Sequence, residues 1–318
     1  MVSEKALIPV GIMTGPTATG KTALAIRLAL EHGNIEIINA DSLLVYRDFD
    51  LGTAKPSLAE RQNIPHHLID IQDPEIPFTA GDFTRAANAA IEEIHSRGKR
   101  ALIVGGTGFY LKGLLFGVWD APAADLQLRK TLSQVPTAEL YSRLCALDTK
   151  FAQKIGPQDQ YRIIRALEII ELSGKTPSEL EDQSEKTADC RFHLWILDRS
   201  NEELSHRIRL RTKQMLDQGL ITEVTQLMQK YPSSKALDSV GYFQVRQYLQ
   251  GVRPEGRKVR EGQQGLADEI ELATRQLVKK QRTWFRNQSL KVSQSRVFTL
   301  DLDLPQIHHD FFNLYSKQ

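Results

Sequence analysis

Two cysteines in 318 residues are too few and too scattered to staple a fold. Cys145 and Cys190 belong to no CxxC or Cys/His grouping, which excludes a disulfide scaffold and a zinc site and leaves two reduced, partly buried thiols as the expectation. Long apolar runs are also lacking. The stretch from Leu7 to Met13 falls far short of the roughly 20 residues a membrane span needs, and MVSEKALIPV lacks the charged-then-apolar pattern of an export signal. A cytoplasmic protein with no membrane association is expected. Net charge is nearly absent, +2 overall, so the whole chain offers no general attraction for a polyanion. One stretch, however, lacks acidic residues altogether: Arg275 to Arg296 holds seven Lys/Arg and no Asp/Glu, so it carries +7 against −5 for the remainder.

What is present is ordinary for a globular chain, 41% hydrophobic and 25% charged, with enough length for a large core and a smaller unit. The apolar run LIPVGIM (7–13) leads into a Gly-rich loop and then the helical pattern TALAIRLALEHG, ending at Gly33. IEIINAD (35–41) and ALIVGG (101–106) read as further strands, the latter after the helical FTRAANAAIEEIHSRG. Alternating strands and helices predict an α/β fold, a parallel sheet with helices on both faces. After Trp119 about 70 residues show helical periodicity and little strand character. DLQLRKTLSQV, TAELYSRLCAL and DQYRIIRALEIIELSG are the candidate helices, the last with Asp159 as cap and Gly174 and Pro177 as stops. RFHLWILD (191–198) reads as a strand returning to the sheet, and Ser200 with Glu203 as a capping box. A polar loop near 251–265 precedes one last long helix. The expected division is residues 1–120, the first part of a P-loop core; 121–190, an inserted all-helical domain; and 191–318, the rest of the core with a basic C-terminal helix.

Gly15-Pro16-Thr17-Ala18-Thr19-Gly20-Lys21-Thr22 satisfies GxxxxGK[ST] between a strand and a helix, the context the mechanism requires. The glycines let backbone N–H groups point at phosphate oxygens, the helix N-terminus adds partial positive charge, Lys21 adds a full one, and the Thr22 hydroxyl is a candidate Mg²⁺ ligand. Such a loop implies a bound di- or triphosphate, as in nucleotide- and ATP-binding proteins, without saying which bond breaks.

Asp41 ends the second strand, on the sheet edge that carries the phosphate loop. Its chemistry fits a water-mediated magnesium ligand, a general base, or simply a cap or turn residue. The third strand ends in Gly-Gly-Thr-Gly-Phe-Tyr, where many P-loop ATPases place an Asp that holds magnesium. That loop either offers N–H groups and the Thr107 hydroxyl to a phosphate or serves as a helix-entry turn. Arg275, Lys279, Arg282 and Arg286 fall at i, i+4, i+7 and i+11, along one side of a helix beside Trp284 and Phe285. The stripe fits contact with a nucleic acid, or a solvated face complementing the helix dipole.

Taken together, GPTATGKT (15–22), DSLLVYRDFDLGTAKP (41–56), HHLIDIQDP (66–74), FTAGDF (78–83), LIVGGTGFYLKGLLFG (102–117), RIIRALEI (162–169), SVGY (239–242) and TRQLVKKQRTWFR (274–286) resemble, in this order, the tRNA dimethylallyltransferase family, over about residues 8 to 290. The resemblance implies a P-loop core and an inserted helical domain that clasp a tRNA anticodon stem-loop, with transfer of a dimethylallyl group from its diphosphate to N6 of adenosine 37. It implies Mg²⁺ with the diphosphate on the P-loop, Asp41 as general base or hydrogen-bond acceptor for the adenine amino group, and Lys21, Thr22, Thr107 and Arg211 as diphosphate contacts. Asp41, Ser42, Leu43 and Leu44, Thr107, Arg129, Tyr161, Arg162, Ile163, Ile164 and Arg165, and 238–243 with Val240, Gly241 and Tyr242, correspond to tRNA-contacting stretches. Leu43-Leu44 stands where many relatives have Met-Gln, and Phe243 where they have Arg. These departures remove an amide suited to a base edge and a phosphate contact. No C-terminal Cys/His zinc module is seen, and a monomer is expected.

The chemistry fits those residues. An allylic diphosphate ionises readily, so the demand is for positive charge on the departing diphosphate, and a carboxylate that takes the amine proton typically contributes about 10² to 10⁴-fold. Adenine leaves its stack most easily in a single-stranded loop. Three other readings share the phosphate loop: an adenylate isopentenyltransferase, a small-molecule kinase, and an RNA-binding protein regulated by a nucleotide.

Overall fold

A computed structural model of the chain describes residues 8–118, 121–183, 191–252, 261–287 and 295–316. The Cys190 thiol, Trp119 and much of the loop expected near 251–265 lie outside the described residues. The chain divides into two compact units, one of residues 1–115 with 188–318 and one of residues 116–187.

The larger unit is built on a sheet. Strand β1 (Val10–Thr14) is followed by helix α1 (Lys21–His32), β2 (Ile35–Asn39), the two-residue β3 (His66–His67), α2 (Ala80–Ser96), β4 (Arg100–Val104) and α3 (Gly108–Phe116). The smaller unit is all helix: α4 (Leu126–Ser133), α5 (Thr137–Leu147), α6 (Thr149–Ala152), α7 (Gln160–Ser173) and α8 (Pro177–Gln183). The chain then returns through β5 (Phe192–Asp198), α9 (Asn201–Asp217), α10 (Leu220–Lys230), α11 (Tyr242–Leu249), α12 (Gly262–Asn287), β6 (Ser295–Thr299) and α13 (Leu300–Ser316).

The sheet order is β3-β2-β4-β1-β5-β6, with every pairing parallel. Strands β1, β2 and β4 are buried along their whole length, as mostly apolar strands covered on both faces must be, with Glu36, Asn39 and Arg100 among their buried polar members. Met13, Ile35, Ile37, Leu102 and Val104 pack with Leu24 and Leu28 of α1 and Phe311 of α13. Helix α2 presents a buried stripe of Phe83, Ala87, Ile91 and Ile94, and starts with the reciprocal Thr79–Asp82 cap. Central β1, β2 and β4 end at the edge where residues 15–22, Asp41 and Gly105–Thr107 emerge.

The smaller unit packs Leu132, Leu140, Leu144, Ile163, Ile164 and Leu167 into its own core. Asp125 and Asp159 cap α4 and α7 by accepting backbone N–H groups, and Gly174 closes α7 in the left-handed conformation. Pro177 opens α8 as well as following α7, a position where its missing N–H costs nothing.

Sequence patterning missed the last two elements, since it placed a single long helix at the end of the chain. Strand β6 is an edge strand in which only Phe298 is buried, so it carries no apolar run. Helix α13 anchors through Ile307, Phe311 and Tyr315, whose hydroxyl accepts from the Gly11 N–H at 2.8 Å and donates to the Ala101 carbonyl at 2.7 Å.

Candidate active site

Phosphate-loop geometry follows from its glycines. Gly15 has φ +140° and no room for a side chain, because a Cβ would lie 2.0 Å from the Leu197 carbonyl oxygen. Gly20 caps α1 in the left-handed region. Helix α1 begins at Lys21, whose Nζ folds back onto the Pro16 carbonyl at 2.6 Å and the Thr19 hydroxyl at 3.3 Å. Burial pushes the Lys21 ammonium down to about 8, against the attraction of Asp41 and Asp198 and with the repulsion of Arg211.

Three arginines gather on this loop from the end of β5 and from α9. Arg199 donates to the Thr19 carbonyl at 2.7 Å and Arg207 to the Ala18 carbonyl at 2.8 Å. Arg211 donates to the Thr17 hydroxyl at 3.3 Å and to the Thr53 carbonyl at 3.2 Å. Burial lowers the Arg211 guanidinium from its ordinary value and the nearby Asp41 carboxylate opposes that shift, so a neighbouring anion is what this group favours. Arg207 and Arg211, one helical turn apart on α9, and Arg199 just before it make the loop strongly cationic. Only Arg211 was anticipated from the sequence. The i, i+4 spacing of Arg207 and Arg211 was the signal for the second.

Asp41 is half-buried and held by its own strand end. Its N–H donates to Asn39 Oδ1 at 2.9 Å, and its Oδ1 accepts the Leu43 N–H at 2.9 Å. That turn engages one of the two carboxylate oxygens. The Thr107 hydroxyl accepts the Ser42 N–H at 2.9 Å and donates to the Ser42 hydroxyl at 3.2 Å, tying the two strand ends together. Gln281 of α12 closes the arrangement: its Oε1 accepts the Thr17 N–H at 2.9 Å and its amide donates to the Gly106 carbonyl at 3.3 Å.

Two cavities adjoin here. The larger, about 1390 Å³, is lined by Lys21, Thr22, Arg207 and the turn 50–57; the smaller, about 570 Å³, by Ser42, Leu43, Thr107, Phe109, Val240, Gly241 and Trp284. Thr17, Asp41, Arg211 and Gln281 line both. The structure thus brings together the P-loop, Asp41, Thr107 and Arg211, and puts the carboxylate on the wall shared by the two spaces.

Other expected contacts lie elsewhere. Tyr242 is fully buried against Phe49, rings 4.9 Å apart, so its side chain is unavailable to RNA. Ile163 and Ile164 belong to the core of the smaller unit, because the helical stripe they sit on is its apolar face. Arg129 makes a two-pronged pair with the fully buried Glu168 at 2.9 and 2.8 Å, and Arg165 joins the same carboxylate. Tyr161 and Arg162 are exposed. On α12, Arg275, Lys279 and Arg286 are exposed, but Arg282 is committed to Asp198 at 2.8–3.1 Å, to Asn201 and to the Arg199 carbonyl. Of the expected stripe, Arg282 is thus engaged within the protein: the absence of acids within 275–296 hid a partner 84 residues away. The half-buried Leu43 packs toward the Phe49–Tyr242 cluster, Leu44 lines the larger cavity, and the half-buried Phe243 ring lies under Arg246 at 5.5 Å.

The sequence profile described as IPP transferase matches residues 44–288. The chain belongs to the IPP transferase family. Among relatives of this family, tRNA dimethylallyltransferase 1 of Citrifermentans bemidjiense is 42% identical over 90% of this chain and 91% of its own. The tRNA dimethylallyltransferase of Francisella philomiragia is 43% identical over 86% and 89%. The solved tRNA isopentenylpyrophosphate transferase of Bacillus halodurans is 31% identical with a TM-score of 0.68, covering 98% of this chain and 97% of that one. A eukaryotic dimethylallyltransferase solved acting on tRNA gives a TM-score of 0.80 at 27% identity, covering 96% and 79%. The phosphate loop and Asp41 precede the matched segment, so their place in this IPP transferase rests on the geometry above. Among the described residues no helix is long and apolar enough to cross a membrane.

Proposed function

We propose that the chain transfers the dimethylallyl group of dimethylallyl diphosphate to N6 of adenosine 37 in a tRNA anticodon loop, with Asp41 as general base. The relatives' names supply the tRNA acceptor, which is met in the cytoplasm. The observation that carries the residue-level reading is the shared wall: a cationic diphosphate cradle on one side, and Asp41 on the boundary with a second cavity flanked by Thr107, Phe109 and Trp284. The allylic C–O bond breaks, its electron pair leaves with the diphosphate, the N6–C bond forms, and the amine proton passes to the second Asp41 oxygen. Lys21, Arg211 and the loop N–H groups stabilise the charge growing on the leaving group, and the Thr107 hydroxyl keeps Asp41's strand end in register with Gly106. The smaller cavity, lined by Phe109 and Trp284, suits an unstacked base.

Mg²⁺ fits this donor set. The Thr22 hydroxyl lines the larger cavity beside Lys21, and among the described residues no group of three His, Cys, Asp or Glu side chains surrounds it. A hard cation here would take its remaining oxygens from diphosphate and water, the usual habit of Mg²⁺, and would offset charge on the leaving group.

The test is the nucleoside composition of tRNA incubated with dimethylallyl diphosphate, read by mass spectrometry for wild type and Asp41→Asn. A mass gain at adenosine is expected with the wild-type protein, and a loss of about 10² to 10⁴-fold in turnover with unchanged tRNA affinity for the variant. Near-normal turnover by Asp41→Asn would refute the base role, and unmodified adenosine with the wild type would refute the activity.

A further inference from the structure

The turn carrying Thr53 is held from below by one carboxylate. Glu223 of α10 accepts the Leu51 N–H at 2.7 Å through Oε2 and the Gly52 N–H at 3.2 Å through Oε1. The same Oε1 accepts the Tyr242 hydroxyl at 2.7 Å. Gly52 sits flat on the Tyr242 ring, where an added Cβ would meet ring carbons at 2.5 Å, and Phe49 packs on the same ring. Desolvation and the Glu223 carboxylate hold the Tyr242 phenol far above its ordinary value, so it serves as a hydrogen-bond donor. Two residues along, the Thr53 carbonyl receives Arg211, whose other terminal nitrogen reaches Thr17 of the phosphate loop.

We propose that Glu223, braced by Tyr242, is a positioning residue that fixes the 51–53 turn and through the Thr53 carbonyl aims the Arg211 guanidinium at the diphosphate. This rests on the diphosphate reading of the P-loop given above. The physical need is specific. A long arginine side chain loses much rotamer freedom when ordered, and a fixed carbonyl acceptor removes that cost before the ligand arrives. Two backbone N–H groups converging on one carboxylate make the turn rigid, because each such charge-assisted bond is stronger than a neutral one. The Tyr242 of the SVGY string is thereby given a role its burial allows, beneath the site instead of against RNA.

The probe is inorganic diphosphate, titrated calorimetrically into the full-length protein, which does not depend on transfer. Glu223→Gln keeps the shape but sets a non-accepting amide nitrogen against one of the two backbone N–H groups and leaves the other on an uncharged oxygen, and should raise the diphosphate Kd by about ten-fold, the scale of one charge-assisted hydrogen bond. Tyr242→Phe keeps the ring packing and removes only the brace, and should give a smaller rise in the same direction. In an Arg211→Lys background, whose own Kd is raised, Glu223→Gln should add less than about two-fold, since the turn acts through the guanidinium. With tRNA present, the KM for dimethylallyl diphosphate should rise in Glu223→Gln while tRNA affinity stays unchanged. An unchanged Kd in Glu223→Gln, or effects of Glu223→Gln and Arg211→Lys that simply add, overturns the proposal. A wild type that binds diphosphate with these dependences yet leaves adenosine unmodified sinks the transfer reading and leaves the positioning role standing.

Discussion

At Lys21 two requirements oppose each other. On the proposed diphosphate reading, the residue must be buried to lie under a phosphate, and must be charged to hold one. Burial lowers its folded value from the ordinary 10.5 to about 8. Between those values the unfolded chain binds more protons, so the stability contribution of this group rises with pH across that window. Diphosphate binding responds in the opposite sense, because the ligand favours the ammonium: above pH 8 the free site must take up a proton before the ion pair forms. Affinity for inorganic diphosphate is therefore expected to fall as pH rises from 7 to 9.5, steepening beyond 8. Lys21→Arg, which stays charged, should flatten that part of the profile, and the ligand's own titration cancels in the comparison. Parallel profiles for the two proteins would show that Lys21 does not face the ligand.

Among the elements, α12 joins two jobs that patterning merged into one basic stripe. Its Arg282 pins the helix to the carboxyl end of β5, while Arg275, Lys279, Lys280 and Arg286 remain on the exposed side. Removing the first kind of residue should cost stability, and removing the second should cost polyanion affinity. Arg282→Met is expected to destabilise by about 1–3 kcal/mol in a denaturant titration, since it strips Asp198 of its guanidinium partner and leaves it, among the described residues, only the Arg199 N–H. Lys279→Gln with Arg286→Gln should instead shallow the dependence of log tRNA affinity on log salt, by roughly 0.7 to 0.9 for each phosphate left without its cation. An unaltered slope in that double variant would place the RNA elsewhere. Legibility divides along the same line. Strands β1, β2 and β4, the P-loop and Asp41 were readable because continuous apolar runs and a spaced motif are local signals. Arg282, Gln281 and Glu223 were not, because each acts on a group 84, 264 or 172 residues away. The edge strand β6 buries one side chain and so leaves almost no period to detect.

For the whole molecule, the smaller unit has an ionic centre of its own. Desolvation would raise the Glu168 carboxyl, but hydrogen bonds from Arg129, Arg165 and the Asp125 N–H outweigh it and hold the group below its ordinary 4.5. A carboxylate so depressed stabilises the unit fully above that ordinary value, and the contribution is lost as pH falls through the lower folded value. Glu168→Ala strands two arginine head groups and removes the acceptor of the α4 N-terminal turn. A loss of about 3 kcal/mol or more is expected. Because residues 116–187 form a compact unit with a separate core, that loss should appear in one calorimetric transition, with the other unmoved. Below the weakened transition, inorganic diphosphate should bind Glu168→Ala as it binds the wild type, since the phosphate loop, Arg211 and Glu223 all belong to the other unit. A drop in diphosphate affinity while both units remain folded would mean that the helical unit shapes the diphosphate cradle, and the two would then have to be treated as one cooperative body.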